Sequence, residues 1–181
     1  KAVAEKIQEL GQRSLAVQAD ITQKADVDNM VRRVEDELGD IDILVNNAGI
    51  LIMAPLLETT EEVWDETIDT HLKGYYFCCQ AVGRRMVARK QGTIINIASD
   101  WVAAEASAYC VAKAGVIMMT RVLALELAPY NIRVNAISPG ATRTEMLDYL
   151  TSDPKALKEY EAQIPMGRIG EPDDIARAIL F

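Results

Sequence analysis

Apolar residues along this chain recur at two periods, and the switches between them mark its elements. Val3, Ile7 and Leu10 share one face of a predicted helix over 1–10 that stops at Gly11. SLAVQAD (14–20) follows as a short strand. Val27, Met30, Val31, Val34 and Leu38 return at helical spacing over 23–38, up to Gly39. IDILVNNAG (41–49) is a buried strand running into an Asn/Gly turn. Thr59 with Glu62 has the spacing of a capping box and predicts a long helix over about 60–89, interrupted near Gly74. GTIINIAS (92–99) is the next strand, 107–128 a second long helix, and IRVNAIS (132–138) a strand broken by Pro139–Gly140. The stretch 144–163 is polar and helical, and Pro172 with Asp173 and Asp174 opens a last helix.

Strands separated by helices predict βαβ units. ILV and TIINIA, apolar almost throughout, fit a sheet covered on both faces. The expected fold is α/β, a doubly wound parallel sheet of Rossmann type with helices on both faces. In such sheets ligands gather beyond the carboxyl ends of the strands. Those ends hold Asp20, then Asn46-Asn47-Ala48-Gly49, then Ser99-Asp100, then Pro139-Gly140. Each alone is also what an ordinary turn uses; together, at successive strand ends, they line one crevice.

Composition narrows the function. Half the residues are hydrophobic and a quarter charged, which is a globular profile, and 181 residues fit one domain spanning 1–181. A net charge of −8 opposes binding to nucleic acid or an anionic membrane through a bulk positive field. No apolar run approaches a membrane span; ILIMAPLL (50–57) is among the longest and contains Pro55. The charged opening KAVAEKIQEL does not read as a signal peptide. Cys78, Cys79 and Cys110 lack disulfide or zinc spacing, and one histidine gives no metal pattern, so no metal is expected and a reducing, cytoplasmic setting is. Tyr109 and Lys113 stand four apart on a predicted helix, hence on one face.

The ordered set D-I-T (20–22), N-N-A-G (46–49), the strand-end Ser99, Y-x-x-x-K (109–113) and NAISPGATRTEM (135–146) resembles the short-chain dehydrogenase/reductase family, and the likeness runs through MGRIGEPDDIARAILF at 166–181. The overall look is similar to 3-oxoacyl-carrier-protein reductases and to glucose or polyol dehydrogenases. The resemblance implies an NAD- or NADP-dependent oxidoreductase interconverting a ketone and a secondary alcohol on a small-molecule substrate. It implies Tyr109 as general acid/base and Lys113 as its cationic partner and a ribose contact. Ser99 would donate to the substrate oxygen. Asp20, with Ile21 beside it, would meet the adenine; the backbone of Asn47, Ala48 and Gly49 would pass the cofactor; Pro139, Gly140, Thr142 and Thr144 would hold the nicotinamide end. The physics agrees: a free phenol titrates near ~10, and a nearby ammonium favours phenolate. Helices 60–89 and 107–128 would pair between subunits to give a homotetramer, and 141–166 would form a substrate flap lined by Met146, Leu147, Tyr149 and Leu150. A plain helix packed on the body is the other reading of that stripe.

Three departures from the family pattern stand out. The glycine-rich phosphate loop, its first βαβ unit and the last strand are expected to be missing from this chain. The residue choosing between NAD and NADP would lie in that first unit. In WDETIDTHLKG (64–74), His71 replaces the usual Asn that holds a relay water; it can donate and accept, so it could fill the role, or be a kink residue beside Gly74 without chemistry. Ser99 precedes Tyr109 by ten residues rather than about thirteen; Ser107 is the alternative donor, but on the helix it would face away. The competing function is a non-catalytic dinucleotide-binding or scaffold relative.

Overall fold

The computed structural model describes residues 2–181. Three strands, β1 (Ile43–Asn46), β2 (Gly92–Ile97) and β3 (Ile132–Ile137), form a parallel sheet in the order β1-β2-β3. Register sets Val45 beside Ile95, Asn46 beside Asn96, and Asn96 beside Ala136. The crossover from β1 to β2 is built of α3 (Glu61–Ile68), a π-helical turn (Asp69–Lys73) and α4 (Gly74–Arg89); that from β2 to β3 is α5 (Ser107–Leu127). Ahead of β1 lie α1 (Ala2–Glu9) and α2 (Lys24–Leu38). The helix expected over 1–10 begins at Lys1, which lies outside the described residues.

The core fills the face of the sheet covered by α2, α4 and α5. Val27 and Val31 of α2 and Val82 and Met86 of α4 pack on Ile94, Ile132 and Val134. Alternate strand residues point the other way, where Ile95 and Ile97 are buried and Ile43 and Val45 are exposed. α5, with its extension to Tyr130, is long and apolar enough by size and composition to cross a membrane, which corrects the expectation that no apolar stretch approaches a span. It packs along β3 and α3 and buries Lys113 and Thr120.

Several local expectations are corrected. Within the expected strand 14–20, residues 15–20 alternate in burial as a strand should but form no ladder among the described residues, because period-2 patterning needs a neighbour before it becomes a strand. The cap of α3 is Thr60, not Thr59: Thr60 is extended and its Oγ1 accepts from the Val63 amide, whereas Thr59 donates to the Pro55 carbonyl. The helical stretch 144–163 breaks into a 3₁₀ turn (Glu145–Leu147), α6 (Asp148–Thr151) and α7 (Pro154–Glu161), since Asp153 caps α7 and Pro154 takes its first turn. The break near Gly74 is the π turn just before it. α8 (Pro172–Leu180) closes the chain with a Glu171/Asp174 capping box. Residues 141–170 leave and return through a paired neck, Arg143 N–H to the Gly170 carbonyl and Gly170 N–H to the Ala141 carbonyl.

Candidate active site

The carboxyl end of β1 is anchored by buried amides. Asn46 Nδ2 donates to Asn96 Oδ1 at 2.8 Å, Asn96 Nδ2 donates to Thr120 Oγ1 at 2.9 Å, and Thr120 donates to the Val116 carbonyl. This chain ties β1, β2 and α5 together directly beneath the crevice. Beyond Asn46 the backbone surfaces: Asn47, Ala48 and Gly49 are exposed. The buried Tyr75 holds them from below, its hydroxyl donating to the Ala48 carbonyl at 2.9 Å.

Gly49 lies flat against His71. A Cβ there would fall 2.5 Å from His71 Cε1, so only glycine fits without moving the ring. His71 sits in the π turn, 0% exposed, and its Nε2 is 2.7 Å from the Ile50 carbonyl. The Ile50 N–H lies 3.2 Å from the same nitrogen, so Nε2 donates to the Ile50 carbonyl or accepts from the Ile50 amide according to tautomer, and Nδ1 is buried without a partner in either. Burial, reinforced by the Lys113 charge and opposed by the Ile50 contact, pulls the imidazole down to about 4. The ring is therefore neutral at physiological pH, and it stands edge-on to Tyr109 with centroids 5.3 Å apart.

From β2, Ser99 is buried at the strand end and its Oγ accepts the Trp101 N–H at 3.2 Å. A hydroxyl that accepts still has its own hydrogen to give. Tyr109, half-buried on the first turn of α5, meets Trp101 ring to edge at 6.1 Å. Burial raises its phenol, and Ser99 is the hydroxyl that works against that rise. Lys113 is 4% exposed; its ammonium donates to the Ile97 carbonyl at 2.7 Å and stands 5.7 Å from the Tyr109 ring centre. Desolvation draws it down to about 8, so it remains mainly charged at neutral pH.

Ser99, Tyr109, Lys113, His71 and the Gly49 turn thus converge from β1, the π turn, β2 and α5. The remaining predicted residues flank them without a hydrogen bond into the cluster. Asp20 Oδ1 accepts from the Thr22 amide and hydroxyl, and Ile21 packs against the position where Gly74 has no Cβ. After Pro139, Gly140 faces open space; Thr142 donates to the Gly140 carbonyl and Thr144 to that of Thr142. A cleft of about 470 Å³ opens beside Gly49, bounded by Ile50, Leu51, Ile52, Glu66, Glu145 and Met146. Another hollow, about 350 Å³, lies at the opposite ends of the strands and holds none of these groups. Sequence reasoning missed Tyr75, Trp101 and the Asn96–Thr120 link. The signal for Asn96 was present as one amide inside the otherwise apolar TIINIA.

Comparison with known proteins gives consistent matches. The family model described as Enoyl-(Acyl carrier protein) reductase matches residues 1–181. (2S)-[(R)-hydroxy(phenyl)methyl]succinyl-CoA dehydrogenase subunit BbsD of Thauera aromatica is 45% identical over 183 residues, covering 100% of this chain and 73% of the relative. The 3-oxoacyl-[acyl-carrier-protein] reductase FabG of Chlamydia pneumoniae is 40% identical over 185 residues, covering 100% and 73%. The crystal structure of a gluconate 5-dehydrogenase from Burkholderia cenocepacia J2315, in complex with NADP and tartrate, superposes with a TM-score of 0.93 at 32% identity, covering 99% of this chain and 72% of that one.

Proposed function

Because the chain belongs to the short-chain dehydrogenase/reductase family, NAD(P)-dependent oxidoreductases acting on CH–OH and C=O groups, we propose that Tyr109 is its general acid/base, with Ser99 and Lys113 as its working partners. The observation that carries this is the buried Lys113 ammonium beneath the Tyr109 ring, at the end of the strand that presents Ser99. That relatives matching the whole chain are named dehydrogenases and reductases favours the catalytic reading over a scaffold one.

The residues present fit a dinucleotide's nicotinamide half. An exposed backbone at 47–49, an open Gly140 and a buried cation give close approach, space and charge at one crevice. Asn47, Ala48, Gly49, Pro139, Gly140, Thr142, Thr144 and Lys113 would hold that half, and Asp20 and Ile21 the adenine. The bound cofactor supplies or takes up the hydride.

The chain's own groups handle the proton. Ser99, fixed by the Trp101 amide, donates to the substrate oxygen and stabilises charge developing there. In carbonyl reduction the Tyr109 phenol, kept protonated by burial, gives its proton to that oxygen. In alcohol oxidation the phenol must first lose that proton, and the adjacent Lys113 charge lowers the cost. His71, neutral and with Nδ1 unpartnered, takes the relay position behind Lys113.

We read 1–181 as one dinucleotide-binding and catalytic domain, with 141–166 as the substrate flap; the paired neck at Ala141, Arg143 and Gly170 supports a segment that moves as a unit. Val111, Met118, Val122 and Leu125 form an exposed apolar stripe on α5, which supports a homotetramer built on α4 and α5. Three free cysteines accord with a cytoplasmic setting.

Replacing Tyr109 with Phe tests the central assignment. Turnover should fall by about 10²–10⁴-fold while NAD(P)H binding, followed by nicotinamide fluorescence, stays intact. Unchanged turnover would remove Tyr109 from the mechanism.

A further inference from the structure

We propose that Tyr75 is a positioning residue for the reaction: its hydroxyl holds the turn that passes the cofactor, and its ring face holds the Lys113 ammonium. This rests on the oxidoreductase reading above and adds to it a residue that acts through others.

Tyr75 opens α4 directly after the π turn and is 0% exposed. Its ring clusters with Ala98 and Val116, and Ile21 and Leu72 pack against that cluster, so an apolar shell fixes its orientation. The hydroxyl reaches the Ala48 carbonyl at 2.9 Å. Residues 47–49 are exposed, and this bond secures their middle member from the buried side.

The same ring faces the cation. Lys113 Nζ lies 5.4 Å from the Tyr75 ring centre, within the range of a cation–π contact, and 5.7 Å from that of Tyr109. Its hydrogen-bond acceptor is the Ile97 carbonyl, and among the described residues no carboxylate pairs with it. The titratable groups facing it are Tyr109 on its own helix, Tyr75 on α4 and His71 on the π turn, the last neutral. A buried ammonium without a counter-ion depends on dipoles and ring faces for its charge.

The two tyrosines are not equivalent. Tyr109 exchanges its proton in the reaction, so the charge it presents to Lys113 changes with each turnover. Burial holds the Tyr75 phenol well above its ordinary range, so it stays neutral and remains a donor to Ala48. Tyr75 is therefore the constant partner of Lys113, and one side chain joins the turn after β1 to the cation of α5.

The test separates hydroxyl from ring. Lysine labelled with carbon-13 at Cε is incorporated into the full-length protein, titrated by NMR without nucleotide, and Lys113 is identified by the resonance lost in Lys113→Met. Its midpoint should lie at about 8 in the parent and stay there in Tyr75→Phe, which keeps the ring face. Replacing Tyr75 with trifluorophenylalanine keeps the ring's shape but removes the negative charge of its face, and the midpoint should fall to about 7. NADH and NADPH binding, followed by nicotinamide fluorescence, should weaken about two- to tenfold in Tyr75→Phe, because the Ala48 carbonyl loses its donor. Equal midpoints in the two variants overturn the role of the ring, and unchanged nucleotide affinity in Tyr75→Phe overturns that of the hydroxyl. A merely structural Tyr75 would lower stability without moving either readout, which overturns both. A parent protein that binds neither nucleotide would instead overturn the oxidoreductase reading and the hydroxyl's role with it, whereas the lysine midpoints test the ring independently.

Discussion

The only histidine of the chain offers the sharpest test of the site's electrostatics. His71 is fully buried, faces the Lys113 ammonium and the Tyr109 ring, and is drawn down to about 4 from an ordinary value of 6.5. The folded state thus resists a proton that the unfolded chain accepts. Above about pH 7 both states carry neutral imidazole and the group costs nothing. As pH falls through 6.5 the unfolded chain binds the proton first and stability declines; below about 4 both states are protonated and the loss levels off. The full loss is about 3 kcal/mol, of which about 2 kcal/mol falls between pH 7 and pH 5. Carboxylates titrate towards the lower end of this window too, so the measurement is a difference. Urea unfolding of the protein and of His71→Asn at pH 7, 6 and 5 should show the parent losing about 2 kcal/mol more than the variant. The single imidazole resonance, followed by NMR, should stay in its neutral position to below pH 5. Parallel stability curves, or a titration midpoint near 6.5, would refute the burial argument and with it the neutral relay.

Three further outcomes follow from the same geometry. Gly49→Ala puts a Cβ 2.5 Å from His71 Cε1 and should cost about 1–3 kcal/mol in thermal or urea unfolding; the penalty should shrink in a His71→Asn background, and additive losses would contradict the proposed contact. Asn96→Ala leaves Asn46 Nδ2 only the weak Cys79 sulfur acceptor and removes the donor to Thr120, which should cost about 1–3 kcal/mol by denaturant titration. Lys113→Met should abolish most activity yet stabilise the protein at pH 7 by about 1–3 kcal/mol, since the buried ammonium is drawn down from 10.5 to about 8. That gain is present below pH 8 and fades towards 10.5, as the native lysine sheds its charge; a variant no more stable at pH 7 would show that Lys113 pays no desolvation cost.

What could be read from sequence was what repeats along one element or sits where an element ends. The spacing of Val27, Val31 and Leu38 gave α2, and the apolar run before Ser99 gave β2, because helix and strand periods are local properties. The same rule located Asn47–Gly49, Ser99 and Gly140, since parallel strands that pair in register bring their carboxyl ends to one edge. Where pattern needs a partner, it misled. SLAVQAD alternates but has no neighbouring strand among the described residues, and two adjacent threonines competed for the cap of α3 until backbone conformation chose Thr60.

The groups sequence left undecided or missed are those whose role is set by a distant segment. Nothing in THLKG says that the imidazole lies under Gly49, 22 residues earlier; one extra residue in the helical turn turns it there, and the absence of a Cβ at 49 admits it. Trp101 shows the converse. Its neighbours Ser99 and Tyr109 were both legible, but a loop residue acquires meaning only once the strand end and the helix start are fixed around it. The two residues differ in what they can control. His71 is enclosed, so its effect passes through the positions of Gly49, Tyr109 and Lys113 and should be felt by every substrate. Trp101 is part-exposed beside Ser99 and Tyr109, so its effect depends on what a substrate carries beside its carbonyl. Substituting each in turn should therefore separate a change in turnover common to all substrates from a change in their ranking.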